Sequence, residues 1–228
     1  MRTLAIGDIH GCSQALRALL DRVEPTADDR IITLGDYVDR GPDSYGVIEQ
    51  LLALHRSSRL IALLGNHEDM MLEARKSDEA LRGWLDCGGK QALASYSPLG
   101  DGGKLVDVPD EHWDFLENVC VAWYETDTHI FVHANVYPDL PMDEQPDYML
   151  RWESIGEHNS GPHCSGKVLV CGHTQQRSGL PLNLGHAVCI DTWAYGNGWL
   201  TCLDVMTGRL WQANQAGRVR TLWLDEVG

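Results

Sequence analysis

Five short stretches carry residue types suited to metal and phosphate chemistry. They are Gly7-Asp8-Ile9-His10-Gly11, Gly35-Asp36-Tyr37-Val38-Asp39-Arg40-Gly41, Gly65-Asn66-His67-Glu68, His133, and Gly172-His173-Thr174. Asp8 and His10 stand two residues apart, so on extended backbone both side chains point to one side and can chelate one cation. Asp36 has two carboxylate oxygens and can bridge two cations, Asn66 offers an amide oxygen, and His133 and His173 offer ring nitrogens. Six such ligands plus water fit two metal ions better than one. Each residue alone has a plainer reading: Asp or Asn beside Gly is most often a turn residue, and a histidine at a strand end is most often a satisfied polar group. Turn chemistry, however, asks neither for histidine at three strand ends nor for Asp39-Arg40 after Asp36.

The elements that must position these residues follow from hydrophobic periodicity. Strand-like runs at 4–6, 30–34 and 60–64 alternate with helix-like runs at 14–23, 45–55 and 68–74, which predicts parallel strands joined by crossover helices. A helix at 111–119 leads into strands at 121–125 and 129–133. Short strand candidates at 167–171, 186–190, 199–204, 209–213 and 219–223, split by Gly, Asn and Asp turns, point to a second, more antiparallel sheet. Every polar stretch falls at the carboxyl end of one of these strands, where open α/β sheets place their sites. With no repeat, low-complexity tract or linker, residues 1–228 read as one α/β domain of two packed sheets flanked by helices.

Composition narrows the partners. Eighteen Lys and Arg against 33 Asp and Glu leave a net charge of -15, which repels polyanions and argues against nucleic acid. The apolar run in MRTLAIGD is too short for a signal peptide or a membrane span, so a cytoplasmic protein with no membrane partner is expected. Seven cysteines without a CxxC pair indicate neither a disulfide scaffold nor a thiolate zinc site.

With GDIHG, GDYVDRG, GNHE, the VHA of residues 132–134 and GHT in this order over residues 7–174, the chain resembles the phosphoprotein phosphatases (serine/threonine protein phosphatases). These belong to the binuclear metallophosphoesterases, and the short length matches their compact bacterial and phage branch. The resemblance implies a metallophosphoesterase β-sandwich of two mixed sheets flanked by helices. It assigns Asp8, His10 and Asp36 to a first metal and Asp36, Asn66, His133 and His173 to a second, with Asp36 bridging. It makes His67 the proton donor, Asp39 its partner and Arg40 a phosphate clamp. The cofactors implied are two divalent metal ions, Mn2+ foremost, with iron or zinc as the other metals of the family. The family's second phosphate-binding arginine falls on Arg151, with Arg177 as runner-up. Asn135 stands where glycine is usual after the VHA block, and Trp193 stands where bacterial relatives often carry a small residue.

These roles have physical support. Two cations about 3.5–4 Å apart lower the pKa of a shared water, which makes a bridging hydroxide available to attack phosphorus. Arg40 presents a planar, permanently charged fork to phosphoryl oxygens. Asp39 favours the imidazolium form of His67, which can then protonate a leaving alkoxide. Glu68, at a helix start, reads as structural through the helix dipole. The activity expected is hydrolysis of phosphomonoesters, with phosphoserine, phosphothreonine or phosphotyrosine in a phosphoprotein, or a small phosphoester, as substrate. Two other readings stand beside it. One is a symmetric dinucleoside-polyphosphate hydrolase or small-molecule phosphoesterase, against which Asp39 counts, because the dinucleoside enzymes usually lack an aspartate there. The other is a catalytically dead metal-binding regulatory protein, against which the complete ligand set counts. Substrate choice is expected to lie in groove loops at 78–107 and 138–165.

Overall fold

Side chains alternate across an extended strand, and the two sheets are assembled from that alternation. The computed structural model describes residues 1–57, 59–100, 102–156 and 161–227. Strands β1 (Thr3–Ile6), β2 (Arg30–Thr33) and β3 (Arg59–Ala62) are parallel neighbours, in register from Thr3 opposite Arg30 and from Ile31 opposite Leu60. Parallel neighbours need crossovers, supplied by α1 (Ser13–Val23) and α2 (Ser44–Ser57). In α1 the buried Ala15, Leu16, Leu19 and Val23 recur at helical spacing, and the helix ends on Glu24 in the left-handed region. In α2 the buried stripe is Val47, Ile48, Leu51 and Leu52. Leu4, Ile6 and Ile31 meet these helices, while Ala5 and Ile32 face the opposite way.

Helix α3 (Asn66–Glu73) follows β3, and then α4 (Asp78–Trp84), α5 (Lys90–Tyr96) and α6 (Asp110–Asp114) lead to the second sheet. That sheet holds β4 (Trp123–Glu125), β5 (His129–Val132), β6 (Val168–Cys171), β7 (Leu182–Asn183) and β8 (Ala187–Cys189) in the order β4-β5-β6-β8-β7. Helix α7 (Asp147–Trp152) lies between β5 and β6 in the chain. Phe131, Val170 and Val188 face the first sheet and pack with Ala5, Ile32 and Leu34, forming the sandwich interior. Their strand neighbours Ile130, Val132, Leu169 and Cys171 face the other way, onto Val136, Met142, Leu150 and Ile155. The expected two mixed sheets flanked by helices are therefore present.

The expected division of the tail is corrected. Strands β9 (Leu200–Asp204), β10 (Arg209–Ala213) and β11 (Val219–Trp223) do not join a second sheet; they extend the first as β11-β10-β9-β1-β2-β3. Strand β9 pairs antiparallel with β1, Ala5 opposite Leu203, and so satisfies the edge of β1 that faces away from β2. The stretches read as loops at 78–107 and 138–165 instead carry α4, α5 and α7; Asp101 and residues 157–160 within them lie outside the described residues. Among the described residues no helix is long and apolar enough to cross a membrane.

Candidate metal centre and active site

The loops after β1 and β2 are tied to each other before any side chain takes part. The amides of Ile9 and His10 both donate to the Asp36 carbonyl, at 3.0 and 2.7 Å, and Gly11 N–H donates to Tyr37 at 2.8 Å. Glu68, buried in the first turn of α3, accepts four backbone N–H groups: Gly65 at 3.0 Å, Asp36 at 2.8 Å, Tyr37 at 2.7 Å and Val38 at 3.1 Å. Its structural role is thus larger than the helix dipole suggests, because it fastens the loop after β2 to the loop after β3. Tight turning puts His10, Asp36, Asp39, Arg40 and His173 at positive φ, between 46° and 74°. Such residues cost roughly 1–3 kcal/mol each and persist where the surroundings over-determine them. Gly172 is needed for close approach, since a Cβ there would collide with Oδ1 of Asp8.

The six residues expected as metal ligands converge at these loops. Nδ1 of His10 donates to the Val38 carbonyl at 3.0 Å, and Nδ1 of His133 donates to the Leu34 carbonyl at 2.7 Å. Each ring therefore turns a bare Nε2 inward, 3.3 Å from Oδ2 of Asp36 for His10 and 3.4 Å from its Oδ1 for His133. His173 is the mirror case: Nε2 donates to the Trp152 carbonyl at 3.1 Å, leaving Nδ1 bare and 3.0 Å from Oδ1 of Asn66. Oδ1 of Asn66 is also 3.0 Å from Nε2 of His133. Around Asn66, His133 and His173 acceptor thus faces acceptor, an arrangement that a cation stabilises and that hydrogen bonds cannot. Asp8 stands beside it, taking the His173 N–H on both oxygens at 3.2 and 3.0 Å.

Electrostatics point the same way. Burial pushes His10 down to about 3 and His173 to about 4, and it lowers His133, so all three imidazoles are neutral near pH 7. Burial, then the charges of Asp191 and Asp36, raise Asp8 well above the usual carboxylate range. Burial opposes charge on Asp36 too, but the surrounding histidines, His133 first, outweigh it and lower its pKa. Three buried acids around neutral rings call for positive charge. The donor set of carboxylate, amide oxygen and imidazole suits first-row divalent ions.

His67 differs from the other histidines. Its Nδ1 pairs with Oδ2 of Asp39 at 2.6 Å, while its Nε2 faces Oδ2 of Asp36 at 3.9 Å. Burial works against its charge, but Asp36 and Asp39 outweigh that and hold its pKa above the usual value. With Nδ1 tied to Asp39, its Nε2 is the atom left to face the cluster, where it lies with His10 and Asp36 in a group that could also hold a metal ion. Asp39 is itself held by the Trp84 indole, whose N–H lies 2.9 Å from both carboxylate oxygens. Arg40 reaches Nε2 of His10 at 3.0 Å and lies 4.9 Å over the Tyr195 ring, which aims its fork into the cluster.

The other residues noted in the sequence are placed unequally. Arg151 is 14% exposed on α7 and ion-paired with Asp69 at 2.6 Å and Asp147 at 2.8 Å. Arg177 is exposed, 5.5 Å over the Trp193 ring. Asn135 is buried and donates to the Ser154 carbonyl at 3.3 Å. Trp193 has a φ of 66° and donates its N–H to Asp191 at 3.0 Å. Asp191, buried within the field of Asp8, was missed, although its place just past a strand is the same signal that marked the ligands. Trp84 and Tyr195 carry no such signal, because an aromatic in an apolar run looks like core.

Comparison with known proteins places this geometry. The calcineurin-like phosphoesterase family pattern matches residues 1–177. The symmetrical bis(5'-nucleosyl)-tetraphosphatase of Pseudomonas fluorescens (strain SBW25) is 42% identical over 143 residues, 60% of this chain and 44% of that protein. Serine/threonine-protein phosphatase 1 of Salmonella typhimurium is 45% identical over 86 residues, 37% of each chain. The chain thus spans less than half the length of either relative. A solved structure described as a candidate diadenosine tetraphosphatase overlays with a TM-score of 0.65 at 19% identity, covering 97% of this chain and 93% of that one, which speaks to fold alone. The expectation of a phosphoprotein phosphatase acting on phosphomonoesters is corrected by these findings: the longer matches bear the tetraphosphatase name, and the protein phosphatase match is confined to 86 residues. Asp39 was a poor discriminator for a physical reason, since an acid–histidine pair can protonate an alkoxide or a phosphate oxygen alike. The match over residues 1–177, on a two-sheet sandwich whose strand ends gather this donor set, shows that the chain belongs to the calcineurin-like phosphoesterases.

Proposed function

We propose that this chain hydrolyses dinucleoside polyphosphates, cutting a bis(5'-nucleosyl) tetraphosphate at its central anhydride into two nucleoside diphosphates. The observation that carries the reading is the run of relatives with that printed name, which match 59–68% of this chain at 32–42% identity. All seven cysteines are free, in keeping with the cytoplasm as its compartment.

Asp8, His10, Asp36, Asn66, His133 and His173 are the residues that would hold two divalent ions, Mn2+ being the first choice. When bound, such ions supply Lewis-acid activation of water and neutralise phosphoryl charge. Arg40 binds the phosphoryl group undergoing attack, and Tyr195 beneath it fixes the direction of its fork. Water adds to phosphorus as the bond to the opposite oxygen breaks. His67, oriented by Asp39 and Trp84, delivers its Nε2 proton to that leaving oxygen. Whether Arg151 assists depends on its leaving the carboxylates of Asp69 and Asp147.

The test is hydrolysis of diadenosine tetraphosphate by the manganese-loaded protein, with products separated by ion-exchange chromatography. ADP as sole product is expected. No turnover, or ATP and AMP in equal amounts, would refute the proposal.

A further inference from the structure

A cleft of about 550 Å3 opens beside the cluster, between α3, α4 and α7. That volume is within the range of small-molecule sites, about 300–1,000 Å3. Two of its walls are joined to the cluster: Trp84 through its indole bond to Asp39, and Trp152 through its carbonyl, which accepts from His173. The cleft therefore adjoins the cluster through residues one contact removed from its proton donor and from His173. Its lining is largely apolar, from Met70, Ala80, Gly83 and Trp84. Trp152 is 45% exposed, an unusual cost for a residue with so large an apolar side chain. Asp69, which Arg151 grips at 2.6 Å, lies on the same wall. Glu73 lines the cleft too, with a largely exposed carboxylate engaged, among the described residues, with the exposed Lys76, a pairing that solvent weakens.

An exposed indole facing an apolar floor, with a carboxylate acceptor alongside, is suited to a flat heterocycle bearing an amino group. We propose that this cleft is a nucleobase subsite, in which one purine of the dinucleotide stacks on Trp152 with its amino edge toward Glu73. The proposal rests on the dinucleoside polyphosphate reading and adds to it where one base goes. A second cleft, of about 440 Å3, lies past Arg40 and Tyr195 with Lys90 and Gln91 on its wall, and gives the other half of a two-headed substrate a path away from the cluster.

Two variants test the subsite. Trp152→Ala removes the platform. Gly83→Leu fills the cleft from its floor: a Cβ at Gly83 meets no atom within 4 Å, and leucine is the better helix former. The readout is the ratio of kcat/KM for diadenosine tetraphosphate to that for p-nitrophenyl phosphate, which has no base. Base–aromatic stacking has the size to lower that ratio about 10–100-fold in either variant, chiefly through KM, with Trp152→Phe recovering most of it. An unchanged ratio, or equal loss on both substrates, overturns the subsite. If the wild-type protein leaves diadenosine tetraphosphate intact, the functional reading fails, and the subsite is read separately by inhibition of p-nitrophenyl phosphate hydrolysis. Adenosine 5'-tetraphosphate should then inhibit at least tenfold more tightly than inorganic tetraphosphate, and Trp152→Ala should erase the difference; equal inhibition of the wild type overturns it.

Discussion

Replacing Trp84 by phenylalanine should uncouple the proton donor from its support. Among the described residues, Oδ1 of Asp39 accepts only from the Trp84 indole, at 2.9 Å, whereas Oδ2 also has His67. Asp39 is fully buried, so no water replaces the lost donor. Leaving a buried polar atom unsatisfied costs about 1–3 kcal/mol, with charged groups at the upper end and beyond. For a chain of this length each kcal/mol lowers Tm by roughly 2–4 °C. A fall of about 6–12 °C is therefore expected in thermal unfolding. Turnover should fall as well, because an untethered Asp39 no longer fixes the ring of His67. General acid catalysis contributes about 10²–10⁴-fold, and misorientation should forfeit about 10–100-fold of it. The loss should be smaller on an aryl phosphate, whose leaving group departs largely without a proton. Phenylalanine also removes ring volume, so the cycle with Asp39→Asn is needed to isolate the hydrogen bond. If Trp84→Phe lowers Tm and kcat as much in the Asp39→Asn background as in the wild type, the indole acts by packing alone and the reasoning is wrong.

Three further outcomes follow from the cluster. Asp36→Asn removes the charge that lies 3.3 Å from His10 and 3.4 Å from His133, and should abolish binding of the ion pair; two ions per chain by elemental analysis would contradict it. Arg40→Ala should keep its metal yet lose about 2–4 kcal/mol of transition-state stabilisation, seen as a fall of about 30–1,000-fold in kcat/KM and weaker inhibition by inorganic phosphate. Gly172→Ala should displace Asp8, because its Cβ would meet Oδ1, and weaken metal affinity while the far-ultraviolet circular dichroism stays native; unaltered Mn2+ titration would show that Asp8 has room to move.

Strand ends were legible because two local signals coincide there: a short β-branched or aliphatic run, then a polar residue beside glycine. Asp8, Asp36, Asn66 and His173 satisfy that rule, and His133 follows its strand without the glycine. The partners of the late strands were not legible, since runs of three to five residues carry no record of which neighbour they will find. Residues 200–204 and 187–189 look alike in sequence, yet the first joins β1 and the second β6, a choice set by contacts far along the chain. Glu68 was placed correctly in a helix start but its four amide partners lie mostly on another loop, which only the fold brings near.

The misjudged substrate has a related cause. Residues at strand ends act on phosphorus and its oxygens, which a monoester and an anhydride share, so no argument from Asp39, His67 or Arg40 could separate the two. What differs between those substrates is the body attached to the phosphate. The surface able to meet that body is the exposed Trp152 on α7, with the buried Trp84 of α4 behind the same cleft, and both helices fell within stretches read as loops. Trp84 is also tied to the cluster by its indole bond to Asp39, and Trp152 by its main-chain carbonyl, which accepts from His173, so the wall of the cleft is continuous with the machinery that moves the proton. Occupancy of the cleft and orientation of His67 are then linked. The double variant Trp84→Phe with Trp152→Ala should accordingly lose activity on diadenosine tetraphosphate non-additively, by more than the uncertainty of about 0.5 kcal/mol expected for independent sites. Strict additivity on the dinucleotide would show instead that base recognition and proton delivery are separate devices that happen to share a wall.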